Sequence, residues 1–248
     1  MRALTTGAAL RAWELGQPLD DQGRGLALLA VALPDVDRER LRKLPIGQRD
    51  ALLVRLRQRT FGHVVRGIVR CTTCDAPLQF ELDLRTYDAT GHLQHRLPPQ
   101  WLVADGFDVL FRLPDSTDFE AVADRCMDTD SARSMLVERC VLEASREGVE
   151  VLPAELTAAA VERIGARMEE LDPLAELPLG VSCERCGGHC LALFDAGRFL
   201  WRDVTQAAHQ LLDEVHALAT HYGWTEPQIL ALSAARRRYY LEKIPAKR

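Results

Sequence analysis

Val69-Arg70-Cys71-Thr72-Thr73-Cys74 and, far downstream, Val181-Ser182-Cys183-Glu184-Arg185-Cys186-Gly187-Gly188 carry the same pattern, two cysteines separated by two residues. Each pair presents two thiols from one tight turn. Two such knuckles are the usual way for a chain to supply the four soft ligands of a tetrahedral zinc ion. Segments distant in sequence are therefore expected to meet at one Zn2+, with Cys71, Cys74, Cys183 and Cys186 as its ligands. His189 and Cys190, crowded behind the second knuckle, are the alternative ligands. Neither knuckle follows a strand that feeds a helix at its first cysteine, which is the setting a thioredoxin-like redox pair needs, so a metal is preferred to redox chemistry.

The flanks support this reading. His63 to Arg70 leads into the first knuckle, and Leu78, Phe80, Leu82 and Leu84 alternate with polar residues after it, the period of a half-buried strand. Strand, knuckle and return strand make a zinc-ribbon hairpin. The second knuckle repeats the pattern more briefly, with Gly187-Gly188 turning into Cys190-Leu191-Ala192-Leu193-Phe194. A compact ribbon places its knuckles about 15–20 residues apart, so the chain between these two is an insertion.

The expected fold is α+β and mostly helical, with zinc-ribbon-like β-hairpins joined at a split CxxC/CxxC site, a helical insertion and a long C-terminal helix. The parts are an N-terminal helical segment (1–62), a discontinuous zinc-ribbon-like module (63–100 and 179–196), a strand plus helical insertion (101–178) and a C-terminal helical arm (197–248).

At 248 residues, 47% hydrophobic and 27% charged, the chain is long enough to bury a sizeable core. No apolar run is long enough to span a bilayer, and the N-terminus lacks the apolar core of a signal peptide, so no membrane partner is expected. The expected location is the cytoplasm. Seven cysteines there are easier to explain by a metal plus free thiols than by disulfides. Cys126 and Cys140 fall in helical patterns and read as small buried hydrophobes.

Helices are expected over 24–32 and 37–59, the second split by Pro45-Ile46-Gly47. Its arginines Arg49, Arg55, Arg57 and Arg59 suggest a nucleic-acid stripe, but Asp50 and the net charge of −5 favour a solvated face or a protein contact. In the insertion, Phe107, Val109, Phe111 and Leu113 share one face of a strand, and helices are expected over 118–126, 131–146 (stopped by Gly148) and 155–171. The longest helix carries Leu200, Val204, Ala208, Leu211, Val215, Leu218 and Tyr222, an apolar seam close to a heptad that Gly223 ends. Thr225 to Gln228 offers a capping box, and Ser233 caps a last short helix.

Leu56-Arg57-Gln58-Arg59-Thr60-Phe61-Gly62 ahead of a CxxC, the strand Phe111-Arg112-Leu113-Pro114, and a second CxxC running into Phe199-Leu200-Trp201 form a familiar series. It continues with His221-Tyr222-Gly223-Trp224, Ile229-Leu230 and Arg237-Arg238 followed by Tyr240-Leu241. The series resembles the T4-like phage baseplate hub assembly proteins and their zinc-knuckle relatives in phage-tail-like contractile injection systems. The resemblance covers most of the chain and is strongest over its last fifty residues. It implies a structural or assembly role at a baseplate, with baseplate or hub proteins as partners, no small-molecule substrate, and the assembled particle as a second possible location.

The residues point the same way. A zinc held by four thiolates is closed to water and substrate, and HExxH, the P-loop and the zinc-deaminase pattern are absent from the sequence. The other class of function is a zinc-ribbon nucleic-acid-binding regulator, since residues 234–248 hold six Lys or Arg against one Glu. The mixed charges beside the knuckles, Asp75 and Glu184 against Arg70 and Arg185, weaken it. The arm is the expected partner-binding surface, through Trp201, Tyr222, Trp224, Arg236, Arg237 and Tyr240, because aromatic and Arg side chains make interface hot spots. In the competing reading the seam packs on the N-terminal helices.

Overall fold

The computed structural model describes residues 1–87, 97–123, 125 and 128–245. Four helices come first, α1 (Thr6–Gly16), α2 (Asp21–Ala32), α3 (Arg38–Arg42) and α4 (Ile46–Phe61). Helix α1, which the sequence reading missed, starts where Thr5 accepts from the Ala8 N–H, and α2 starts where Asp20 accepts from Gly23. The expected break at Pro45 is real, with Pro45 capping α4. Strands β1 (Val64–Arg70) and β2 (Pro77–Asp83) then form the first antiparallel hairpin.

The insertion departs from expectation. It is built on a four-stranded antiparallel sheet of β3 (Gln100–Ala104), β4 (Phe107–Phe111), β5 (Val141–Arg146) and β6 (Val149–Glu150), with helices α5 (Ser116–Ala123), α6 (Thr129–Cys140) and α7 (Ala158–Leu171). The helix expected over 131–146 stops at Cys140, and its last six residues are β5. Pairing with β4 decides this. Val141 and Ala144 turn inward onto Phe111 and Val109 across a register shift, and the β-branched Val141 fits the pleated surface. Gly148, expected as a helix stop, is the second residue of a β5–β6 turn in which both Glu147 and Gly148 have positive φ. The helix expected over 118–126 is α5, and Cys126 lies outside the described residues.

Strands β7 (Pro178–Ser182) and β8 (His189–Leu193) form the second hairpin, followed by α8 (Ala196–Tyr222), α9 (Glu226–Leu230) and α10 (Ala234–Leu241). Both hairpins root in the helical core. Val65, Phe80, Leu179 and Phe194 join Leu28, Leu29, Leu53, Leu56 and Leu200 in one buried cluster. Gly67 is required there, because a Cβ would come within 2.6 Å of the Phe80 ring.

The seam of α8 is covered by the chain itself. Leu200 and Val204 join the main core, Ala208 and Leu211 pack with Leu10 of α1, and Val215 and Leu218 pack with Ile229 of α9. The reading in which the seam packs on the N-terminal helices is therefore the one observed, with the returning arm covering the rest. Leu200, Leu211 and Leu218 are fully buried, each worth about 1.5–3 kcal/mol over exposure. Arg49 and Arg57 do not form a solvated stripe. Both are buried, Arg49 bonded to Asp50, Gln22 and Ser116 and Arg57 to Asp203 at 3.1 Å. Burial pushes the Asp50 carboxyl above its ordinary range, against the pull of Arg49.

The root of the insertion is tied to α4. The Gly47 N–H donates to Asp172 at 2.8 Å, and the Ile46 N–H donates to the Pro114 carbonyl at 3.2 Å. Inside the insertion, Asp118 is completely buried, gripped by Arg112 at 2.6 and 2.9 Å and by Arg139 at 3.2 Å.

Candidate metal centre

Each knuckle is a tight turn closed by the same two backbone bonds. The Cys71 N–H donates to Ala76 O at 2.9 Å and the Asp75 N–H to Cys71 O at 2.9 Å. In the second knuckle the Cys183 N–H donates to Gly188 O and the Gly187 N–H to Cys183 O, both at 2.8 Å. Asp75 and Gly187 occupy equivalent positions and both have positive φ, 56° and 71°, the conformation that glycine adopts at least cost and Asp tolerates better than most residues. The two turns are thus local copies, differing only in how the αL position is filled.

The hairpins bring the knuckles tip to tip. The sulfurs of Cys71, Cys74, Cys183 and Cys186 all lie within 4.8 Å of one another. Cys71 Sγ is 3.6 Å from Cys186 Sγ, and Cys74 Sγ is 3.7 Å from Cys183 Sγ, so each short contact crosses between knuckles. Cys71 and Cys183 are buried, Cys74 is half-buried and Cys186 is exposed. The described cysteines are all free thiols. Such a set can hold a metal ion, and its four donors leave no vacant tetrahedral position.

Backbone N–H groups already point at the sulfurs. Those of Cys74 and Thr73 lower the Cys71 thiol to about 6, against the opposing effect of burial. Gly188 offers an N–H to Cys186, but hydrogen bonding with the sulfurs of Cys183, Cys71 and Cys74 outweighs it, and that thiol is pushed up to about 12. The Cys71 thiolate is thus favoured and that of Cys186 disfavoured. Repulsion among four crowded sulfurs is relieved by a cation placed between them.

The alternative ligands are not among the four converging sulfurs, although Cys190 touches Cys71 from behind. The His189 ring bonds Ser182 at 3.0 Å on the exposed side of its hairpin. Cys190 is buried in the small core beneath the knuckles, where the Thr72 hydroxyl approaches its sulfur at 3.7 Å. Gly188 lies between the turns, since a Cβ there would be 3.3 Å from both Cys186 Sγ and Thr73 Oγ1. The sequence carried no signal for that contact beyond the doubled glycine.

The residues of the arm divide into two sets. Arg237 is buried, bonded to Glu214 and to the Leu232 carbonyl, both at 2.8 Å. Expected to face a partner, it instead fastens α10 to α8. Tyr222, Trp224 and Tyr240 form a half-buried aromatic cluster in which Tyr222 and Trp224 stack at 4.7 Å. Trp201 is half-buried beneath Arg24, against Gly16. Arg236 is exposed.

The sequence profile of the family described as T4 bacteriophage base plate protein matches residues 28–201. That span runs from within α2 to the first residues of α8 and takes in only the first three of the last fifty residues, where the resemblance was expected to be strongest. No curated protein and no solved structure gives a significant match.

Proposed function

We propose that this chain, which belongs to the T4 bacteriophage base plate protein family, is a non-enzymatic structural or assembly component of the baseplate of a contractile phage tail or phage-tail-like injection system. It is stabilised by one structural zinc and acts through contacts with other baseplate or hub proteins. The family match carries the baseplate reading, and the four-sulfur cluster carries the zinc. A tetrahedral ion with Zn–S bonds of about 2.3 Å has sulfur edges of about 3.8 Å. The inter-knuckle separations of 3.6 and 3.7 Å are close to that length. A closed four-thiolate site supports folding, whereas catalytic zinc keeps a position for water.

The partner-binding element of this reading is the arm, through its outward residues around Arg236 and the rim of the Tyr222, Trp224 and Tyr240 cluster, with Trp201 at its base. Assembly begins in the cytoplasm and ends with the chain in the particle. Affinity purification of tagged chain from cells assembling the particles is expected to recover baseplate proteins, with about one zinc per chain by elemental analysis. Recovery of neither baseplate proteins nor zinc would refute the reading.

A further inference from the structure

Among the described residues, the insertion sheet is covered on one face only. Leu102, Ala104, Phe107, Val109, Phe111 and Ala144 face α6 and α7. The opposite face is laid out by the strand register. One row runs Trp101, Leu110, Glu143 and the next Val103, Asp108, Ser145, Glu150. Trp101 is 63% and Val103 62% exposed, high values for such side chains. The three acids of this face make no ion pair among the described residues, and no basic residue lies in either row. An apolar strip edged by unpaired acids is thus left open to solvent.

The same chain carries the complementary surface. Helix α10 turns Arg237, Tyr240 and Leu241 inward, which leaves Arg236, Tyr239 and Lys243, spaced three and four residues apart, along the outer side. Tyr239 is 57% exposed, and the Lys243 ammonium lies 5.3 Å over its ring. Arg238 is exposed beside them. None of these cations makes an ion pair among the described residues. The segment 234–248 has a net charge of +5 in a chain whose total is −5.

We propose that the acidic, apolar face of the β3–β4–β5–β6 sheet binds the basic, aromatic outer face of α10 from a second copy of this chain. The inference rests on the reading of the arm as a partner-binding element and names its partner. Charge complementarity selects the occupant, because Arg236, Arg238 and Lys243 oppose Asp108, Glu143 and Glu150, while Tyr239 supplies the large ring that an open strip around Trp101 and Val103 accepts. The two patches are different surfaces of one chain, so the contact is head-to-tail and builds either a closed ring or an open row.

The test is sedimentation velocity of the full chain across a concentration series at low and high salt. Wild type is expected to associate at low salt and to dissociate as salt rises. The sheet variant Asp108→Lys with Glu143→Lys and the arm variant Arg236→Glu with Arg238→Glu are each expected to be monomeric. Their equimolar mixture is expected to regain salt-sensitive association with the two variants alternating, because the basic sheet of one faces the acidic arm of the other and the unchanged arm of the first faces the unchanged sheet of the second. Trp101→Ala, which leaves every charge in place, is expected to weaken wild-type association about tenfold or more. All these positions are exposed, and melting curves matching wild type will show that the variants fold. Wild type that stays monomeric at high-micromolar concentration, charge variants that associate as wild type does, or a mixture that stays monomeric would overturn the proposal. If the arm captures baseplate proteins while the purified chain stays monomeric, this inference falls and the arm reading stands.

Discussion

Replacing Cys183 by Ser removes one of the two buried sulfurs of the cluster, and its cost follows from the topology. The short contacts join residues 109 and 115 apart in sequence, so a metal held there would close the whole insertion into a loop. Cross-linking a loop of about 100 residues removes about 4–5 kcal/mol of unfolded-chain entropy. Global collapse is not expected, because Val65, Phe80, Leu179 and Phe194 keep the hairpin roots in the helical core. In a domain of this size about 1 kcal/mol moves the melting temperature by about 2–4 °C, so the substitution is expected to lower it by about 8–20 °C. Chelator added to wild type should reproduce most of that shift and leave the variant almost unmoved. Cys190→Ser is the control, since its sulfur is not among the four converging ones. It should keep full metal content and lose only what a buried thiol contributes to packing. Melting is followed by circular dichroism and metal by elemental analysis. Protein purified without chelator that contains no metal, or a Cys183→Ser melt within about 2 °C of wild type, would refute the reasoning.

Gly47→Ala should cost about 3 kcal/mol or more, because its Cβ would lie 2.6 Å from Asp172 Cγ and 2.8 Å from Ala175 N, where the insertion meets α4. Chemical denaturation would show it. Arg237→Ala should loosen α9 and α10, with a loss of about 1–3 kcal/mol confined to residues 224–245, read as faster amide exchange there and none in α4. Asp118→Ala should destabilise by about 3–5 kcal/mol at neutral pH, since it leaves Arg112 and Arg139 without their shared carboxylate. Burial opposes ionisation of Asp118, but Arg112, the Asp115 N–H and Arg139 together hold its carboxyl below the ordinary range. Its stabilising contribution is therefore present above the unfolded value of about 3.9 and lost as pH falls through the lower folded value, so the gap between wild type and variant should close on acidification.

The elements legible in the sequence were those with a local cause. The doubled CxxC, the alternation from Leu78 to Leu84, the seam from Leu200 to Leu218 and the capping residues Thr225 and Ser233 each correspond to an observed element. Of the sheet in the insertion, β4 was expected, but β3, β5 and β6 were missed although the turns that join them were written plainly. Asp105-Gly106 between two apolar runs is a strong two-residue hairpin signal, and Asp105 and Gly106 do have φ of 53° and 81°. Reading Gly148 as a helix stop hid the second turn. The helical appearance of Ser131 to Arg146 was overruled by pairing with β4, which no window along the chain reveals. Arg237 was misplaced for a similar reason. Exposed and inward arginines look alike in sequence, and Glu214, which turns this one inward, lies 23 residues earlier on another helix.

The span of the family match coincides with the mechanical logic of the fold. Residues 28–201 hold both knuckles, the insertion between them, the last five residues of α2, all of α4 and the first six residues of α8, which is the span between the knuckles together with much of the core that supports the hairpin roots. Ala196, Leu200 and Val204 anchor α8 in that core at the end of the match, and beyond them the helix packs on Leu10 of α1 and then on the returning arm. The body that carries the four-cysteine cluster is therefore the part of this chain that the family match covers. The arm stands apart in both charge and sequence match, and it is attached by one continuous helix with no break between Ala196 and Tyr222. On the proposed reading of the arm, a partner bound at α10 would load α8 and, through it, Leu200 and Val204, which pack with the hairpin roots. A metal held by the four sulfurs at the hairpin tips would close the insertion loop and stiffen the same region from its opposite end.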